Sequence, residues 1–234
     1  MTKARQARTA SKLPSRRSYE QLCTLARTLD VVGERWTLLL IRELMLGPRR
    51  FTDLLDGMPG IGRNLLAARL KHLAAAGLLE QVPESSSGRH LYALSADGRA
   101  LGPALAELGR WGAERLPDPD PDLLFRPAWA IFPMSYMADR EAARGVRETY
   151  EFRVDGEVFH LRVDDGRVEP RTGPAELADL VITVDGDAFR RIFARDLNAA
   201  EAVAQGLVRF EGGPKAIANC LAIVASGGTA APGS

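Results

Sequence analysis

Residues 61–94 read IGRNLLAARLKHLAAAGLLEQVPESSSGRHLYAL. Leu66, Leu70 and Leu73 recur at i, i+4 and i+7, which stacks them on one face of a helix as a core stripe. Arg63, Asn64, Arg69, Lys71 and His72 fall largely on the remaining surface. Gly77 supplies the left-handed residue that closes a helix. LLEQV and RHLYAL have strand composition, and the ESSSG between them cannot pack a core.

A helix with a basic outer face, followed directly by two short strands and a Ser/Gly/Arg tip, is the order of the DNA-reading half of a winged helix. A helix in the major groove must bury one face and offer the other to phosphates and base edges. An ordinary amphipathic helix with a solvated face would share the stripe; the hairpin after it separates the two readings. Arg63 and Asn64 lie in the first turn, whose N–H groups favour phosphate, and are best placed to reach base edges. Lys71 continues that basic face. Ser87, Arg89 and His90 at the wing are expected to meet DNA, because an isolated wing has little core to serve. Arg69 is open to two roles, a phosphate contact or an internal ion pair. His72 has no metal partner nearby and reads as a solvated helix residue.

Upstream, Tyr19 to Val32 places Leu22, Leu25, Ala26 and Leu29 at helical spacing, and Gly33 ends the run. WTLLLIREL from Trp36 predicts a second, apolar helix stopped by Gly47 and Pro48. RRFTDLLDGM predicts a third, with Thr52 placed to cap it and Phe51, Leu54 and Leu55 on its buried face. The third helix and the one from Gly62 form the helix-turn-helix. Downstream, residues 96–116 carry Leu101, Leu105, Leu108, Trp111 and Leu116 as one stripe. A terminal helix of that kind buries its stripe against a second subunit, the symmetric solution, or against its own domain.

Net charge supports the division of the chain. The whole has 31 Lys+Arg and 30 Asp+Glu, a net charge of +1, but residues 1–117 carry +7 and the remainder −6. A basic half suits phosphate contacts, which release counterions and make binding salt dependent. At 234 residues the chain holds two domains of ordinary size. The expected boundaries are a disordered basic arm over 1–18, a winged-helix domain over 19–116, a PDPDPD linker over 117–122, a second domain over 123–225 and a flexible tail over 226–234. Cys23 and Cys220 fall in different predicted domains, which argues against an internal disulfide and for a reducing cytoplasm. No apolar run approaches a membrane span, no apolar core for secretion follows the basic N-terminus, and no membrane partner is expected.

CTLARTLDVVGERWTLLLIRELMLGPRRFTDL, LLAARLKHLAAAGLLEQV and GRHLYALSADGRAL together resemble the HxlR-type winged-helix transcriptional regulators, small dimeric relatives of the MarR group. The resemblance covers roughly residues 19–116 and implies sequence-specific DNA binding by a homodimer, with the helix from Gly62 in the major groove and the wing around Gly88 near the minor groove. Arg69 and Lys71 match the family's Arg-Leu-Lys element, and Arg89 and Tyr92 its Arg-x-x-Tyr after the wing. The chain departs from the family in having Ser85, Ser86 and Ser87 where a proline-rich wing is usual, and Gly62 where a Ser often precedes the recognition helix. The resemblance also implies dimerisation through Leu101, Leu105, Leu108 and Trp111. Cys23 matches a cysteine that some members use to sense oxidants or electrophiles; Arg27, one turn on, is its only obvious local cation, and a partly buried structural role competes.

Beyond the linker, LLFRPAWAIFPMSYM is rich in large apolar groups, and a helical stretch is expected through Arg147. TYEFRV, EVFHLRV and ADLVITV then alternate apolar sites such as Phe159, Leu161 and Val163, with Asp155-Gly156 as a hairpin turn, and predict an antiparallel sheet. Two short helices, a strand and a final helix with Ile217, Leu221 and Val224 on one face follow. With DLVITVDGDAFRRIFARDLNAAEAVAQGLVRFEGGPKAI as its centre, residues 123–225 resemble the sterol carrier protein type 2 fold, whose members hold lipids or fatty acyl chains between sheet and helices. That resemblance implies an apolar effector pocket. Trp129, Phe132, Met134, Tyr136, Met137, Phe189, Phe193 and Leu221 are candidate walls, although each, taken singly, reads first as plain core.

The fold class is therefore α+β, an N-terminal winged helix-turn-helix domain followed by a lipid-carrier-like domain with an antiparallel sheet packed on helices. The three histidines, His72, His90 and His160, are scattered over different elements, and there is no GxSxG, HExxH or paired Cys. The chain reads as a regulator, not an enzyme, with no cofactor or metal expected. Its expected partners are operator DNA, a second copy of itself and an apolar or fatty-acyl effector. The alternatives are a redox-sensing regulator acting through Cys23 with a structural second domain, and an apolar-ligand carrier that does not bind DNA.

Overall fold

A computed structural model describes residues 18–84, 89–115, 124–193 and 196–225. The expected arm, the 117–122 linker, the tail and Ser87 at the wing tip lie outside the described residues, apart from Ser18.

The first half contains α1 (Thr24–Val32), α2 (Thr37–Met45), α3 (Phe51–Gly57) and α4 (Arg63–Ala75), then β1 (Leu79–Pro83) and β2 (His90–Leu94), a short α5 (Ala96–Arg99) and α6 (Gly102–Arg115). Leu66, Leu70 and Leu73 of α4 face Leu40, Ile41 and Leu44 of α2 and Leu54 of α3 in one buried cluster. Each such side chain contributes about 1.5–3 kcal/mol through removal from water. At the end of α4, Gly77 has φ +75°, its N–H donates to Ala74 O, and the Leu78 N–H donates to Leu73 O, closing the helix in a Schellman motif. β1 pairs antiparallel with β2, and the backbone of Arg49 bonds reciprocally with Tyr92, adding a third edge to the wing.

Two local expectations in this half are corrected. The first helix begins at Thr24, not Tyr19, because the Asp30 carboxylate accepts the Ser18 hydroxyl and the Tyr19 N–H and folds that segment back across α1. Thr52 lies inside α3; Arg50 is the N-cap residue, and its N–H donates to Asp53 at 3.2 Å.

The second half contains α7 (Ala128–Met137), β3 (Arg147–Val154), β4 (Glu157–Asp164), β5 (Arg167–Thr172), β6 (Leu180–Val184), α8 (Gly186–Phe193), α9 (Ala199–Ala204), β7 (Val208–Gly212) and α10 (Pro214–Ala225). The sheet order is β5-β4-β3-β6-β7. Tyr150, Phe152, Phe159, Leu161, Leu180 and Ile182 share the face that packs on the helices. Asp155-Gly156 and Asp165-Gly166 both take positive φ at both positions, the type I′ geometry that suits strand twist.

The second half also departs from expectation. The predicted all-antiparallel sheet is mixed, since β6 runs parallel to β3; the chain leaves β5 at one edge and returns on the far side of β3. β5 itself was not expected, because Pro170 breaks its pattern; an edge strand tolerates that missing donor. The helix expected through Arg147 stops at Met137. Asp139 accepts the N–H groups of Glu141 and Ala142, Gly145 takes φ +71°, and Arg147 already belongs to β3.

The halves share packing. Leu46 and Ala106 from the first are buried in the cluster of the second, α7 lies against α2 and α6, and the Thr172 hydroxyl donates to Leu46 O at 3.2 Å. No helix among the described residues is long and apolar enough to cross a membrane.

Candidate functional site

The outer face of α4 is the first candidate. Arg63, Asn64 and Lys71 are exposed, and between them Ala67 and Ala68 are exposed as well. Those two alanines were not singled out from the sequence, where small residues on a polar face carry no charge signal. In three dimensions they leave the middle of the face low enough for a groove wall to approach the helix backbone. The free N–H groups of the first turn lie beside Arg63 and Asn64 and add partial positive charge there.

Arg69 is directed differently. Its Nη2 lies 2.8 Å from Glu34 Oε2 and its Nε donates to Arg35 O at 3.3 Å. His72, expected to be solvated, is half-buried with Nε2 3.0 Å from Val31 O; a carbonyl only accepts, so that nitrogen carries the proton.

The wing stands beside this face. Arg89 and His90 are exposed at its described base, where the Glu84 N–H donates to Arg89 O at 2.8 Å. Arg50, at the start of α3, donates through Nε to Glu84 at 2.8 Å, so the wing is tied to the helix-turn-helix; hydrogen bonding to that carboxylate raises the Arg50 guanidinium above its ordinary range.

The stripe of Leu101, just before α6, and Leu105, Leu108 and Trp111 on it divides, and Leu116 lies outside the described residues. Leu101 and Leu105 pack against the core of their own half, whereas Leu108 and Trp111 are 56% and 53% exposed. On α1 and the segment before it, Leu22 and Leu25 are 101% and 65% exposed. Cys23 is exposed at the N-cap of α1.

In the second half, the eight candidate wall residues spread over several surroundings. Phe132 and Phe189 are buried in the core, with Phe132 4.8 Å from Tyr136 and Phe189 6.0 Å from Phe159 between ring centroids. Met134 and Tyr136 pack against that core, and burial raises the Tyr136 hydroxyl above its ordinary range. Met137 is half-buried, and Phe193 and Leu221 are exposed. The Trp129 indole N–H donates to Glu43 Oε1 of α2 at 2.7 Å, with Arg42 stacked 4.0 Å over its ring. A cleft of about 420 Å³ is lined by other residues: Phe125, Pro127, Val154, Asp155, Glu157, Gly186, Asp187 and Arg190. Among the described residues no group of three or more His, Cys, Asp and Glu is disposed to hold a metal.

Two families match the chain in tandem. The HxlR-like helix-turn-helix family matches residues 31–120 and the SCP-2 sterol transfer family residues 134–219. An HTH-type transcriptional regulator of Mycobacterium tuberculosis is 46% identical over 98 residues, 42% of this chain; the chain spans only 61% of that relative's length. The HTH-type transcriptional regulator YvaP of Bacillus subtilis is 31% identical over 100 residues, 42% of this chain and 89% of that protein. The crystal structure of PA1607, described as a candidate transcription factor, superposes with a TM-score of 0.41 at 34% identity, covering 46% of this chain and 75% of that one.

Proposed function

The chain belongs to the HxlR-like helix-turn-helix family, and from that premise we propose that it is a sequence-specific DNA-binding regulator acting as a homodimer, its affinity set by an apolar small molecule or fatty acyl chain in the second domain. The observation that carries the DNA-binding reading is α4: one face is buried through Leu66, Leu70 and Leu73 while the opposite face offers Arg63, Asn64 and Lys71 around two alanines. Arg89, His90 and Ser87 supply the wing contacts in this reading. Selection of duplexes from a random-sequence library by the full-length protein tests it. Enrichment of one motif with two half-sites is the expected result, since a symmetric dimer reads a symmetric operator.

The dimer reading rests on Leu22, Leu25, Leu108 and Trp111, large apolar side chains that a single chain leaves exposed. Pairing of α1 and α6 with their copies covers them. The effector reading rests on the SCP-2 match and on α7, which lies against the sheet on one side and α2 and α6 on the other. A guest seated beside Trp129, Phe132, Met134 and Tyr136 would shift α7 against the winged domain and change the spacing of two recognition helices. Native mass spectrometry of the purified dimer, followed by organic extraction, tests that part.

A second reading, oxidant sensing at Cys23, is favoured by one contrast. Cys23 is exposed, whereas Cys220 is buried and burial pushes its thiol up to about 12.

A further inference from the structure

Two residues of α4 bond to one short corner of the chain, and the segment before α4 comes close to the same corner. That corner, Val31 to Trp36, joins α1 to α2. Gly60, just ahead of α4, lies close to Trp36: an added Cβ would stand 3.5 Å from the edge of the indole. Midway along α4, Arg69 meets the Glu34 carboxylate at 2.8 Å and the Arg35 carbonyl at 3.3 Å. In the last turn, His72 donates to the Val31 carbonyl at 3.0 Å. The corner is itself stiffened: Trp36 is held at φ +77°, which a bulky side chain adopts only where its surroundings impose it, and the Arg35 guanidinium lies 5.3 Å over its ring.

The direction of Arg69 decides its role. Its side chain is only 18% exposed, and the guanidinium already holds a carboxylate and a carbonyl. A phosphate contact would have to break both. Lys71 and Arg63, exposed on the same helix, carry no such ties among the described contacts. The corner also continues into α1, whose Leu25, with Leu22 just ahead of the helix, supplies part of the proposed dimer face.

We propose that Arg69 and His72 are positioning residues that lock the recognition helix onto the Val31–Trp36 corner and thereby fix its register relative to the dimer face. The inference rests on the DNA-binding reading and deepens it. A dimer reads two half-sites at one spacing, so a recognition helix free to rock on its core would lose discrimination before it lost charge attraction.

This separates the role from direct phosphate contact by sign. If Glu34 merely competed with DNA for Arg69, Glu34→Gln would free the guanidinium, tighten binding and steepen the salt dependence by about 0.9 in log K against log salt. The clamp predicts the opposite: removal of an acid weakens binding. The experiment uses the full-length chain, a duplex selected by the wild type from a random library, and an unselected random duplex. Glu34→Gln and Arg69→Gln are each expected to weaken binding to the selected duplex by on the order of tenfold, the loss of one charged hydrogen bond. The preference over random duplex falls while the salt slope stays unchanged. The charge swap Glu34→Arg with Arg69→Glu restores the preference. His72→Gln, whose amide can still donate to Val31 O, retains it, and His72→Leu loses it. Tighter binding by Glu34→Gln, or a slope flattened by about 0.9 in Arg69→Gln, overturns the proposal. A wild-type chain that enriches no duplex overturns the DNA-binding reading first, before any variant is compared.

Discussion

The Trp129 indole N–H donates to Glu43 Oε1 at 2.7 Å, joining α7 of the second half to α2 of the winged half across 86 positions of sequence. Glu43 is 3% exposed, so its carboxylate depends on this donor and on Arg42 at 2.7 Å for its solvation. Trp129→Phe keeps a ring under Arg42 but removes the donor. The variant is expected to lose about 1–3 kcal/mol in urea unfolding of the whole chain, the cost of a buried acceptor left short of a partner. An unchanged midpoint and slope would show that the contact carries no weight.

A second test concerns the approach of α6 to α7. A Cβ on Gly102 would stand 1.9 Å from the Tyr136 hydroxyl oxygen, whereas one on Gly109 of the same helix meets nothing within 4 Å. Gly102→Ala is expected to destabilise the protein by about 1–3 kcal/mol through overpacking. Gly109→Ala is expected to stabilise it by up to about 1 kcal/mol through helix propensity. Thermal unfolding of the two variants side by side reads the contrast, and equal shifts in both would contradict the packing described.

The proposed dimer face is open to a direct challenge. Trp111→Lys places a charge on a side chain that the single chain leaves half exposed, so the fold of one chain has little reason to change. Sedimentation velocity is expected to show the wild type as a dimer and the variant shifted to monomer, with dimer affinity weakened by roughly 30-fold or more, as for loss of an aromatic anchor. A variant that still sediments as the wild type does would move the interface elsewhere.

The two thiols should separate by pH. Burial holds Cys220 as the neutral thiol until about 12, so at pH 8 it has almost no thiolate to react. Labelling of the folded chain with a maleimide at pH 8 is expected to modify Cys23 alone, and Cys220 only after unfolding. Modification of Cys220 in the folded state at a comparable rate would contradict its burial.

Local pattern made part of this architecture readable. Leu66, Leu70 and Leu73 announce α4 because their spacing matches the helical repeat, and Gly77 and Asp155-Gly156 mark a helix end and a hairpin because few residues accept positive φ. The parallel pairing of β6 with β3 was not readable, since alternation has the same period whichever way a neighbour runs. Nor was β5, whose Pro170 looks like a break until its edge position is known. At the site, Arg63, Asn64 and Lys71 could be placed on an outer face by spacing alone. The partners of Arg69 and Trp129 could not, because Glu34 and Glu43 lie 35 and 86 positions away and only the folded chain brings them near.

In the proposed complex the exposed basic face of α4 meets DNA phosphate, and the salt dependence of binding reads that contact. Fluorescence anisotropy of the full-length chain on its selected duplex, across a range of salt concentrations, should give log K falling linearly with log salt. Arg63→Ala and Lys71→Ala should each flatten that line by about 0.9, one phosphate contact apiece. Binding indifferent to salt, or lines for both variants that overlay the wild type's, would contradict that contact.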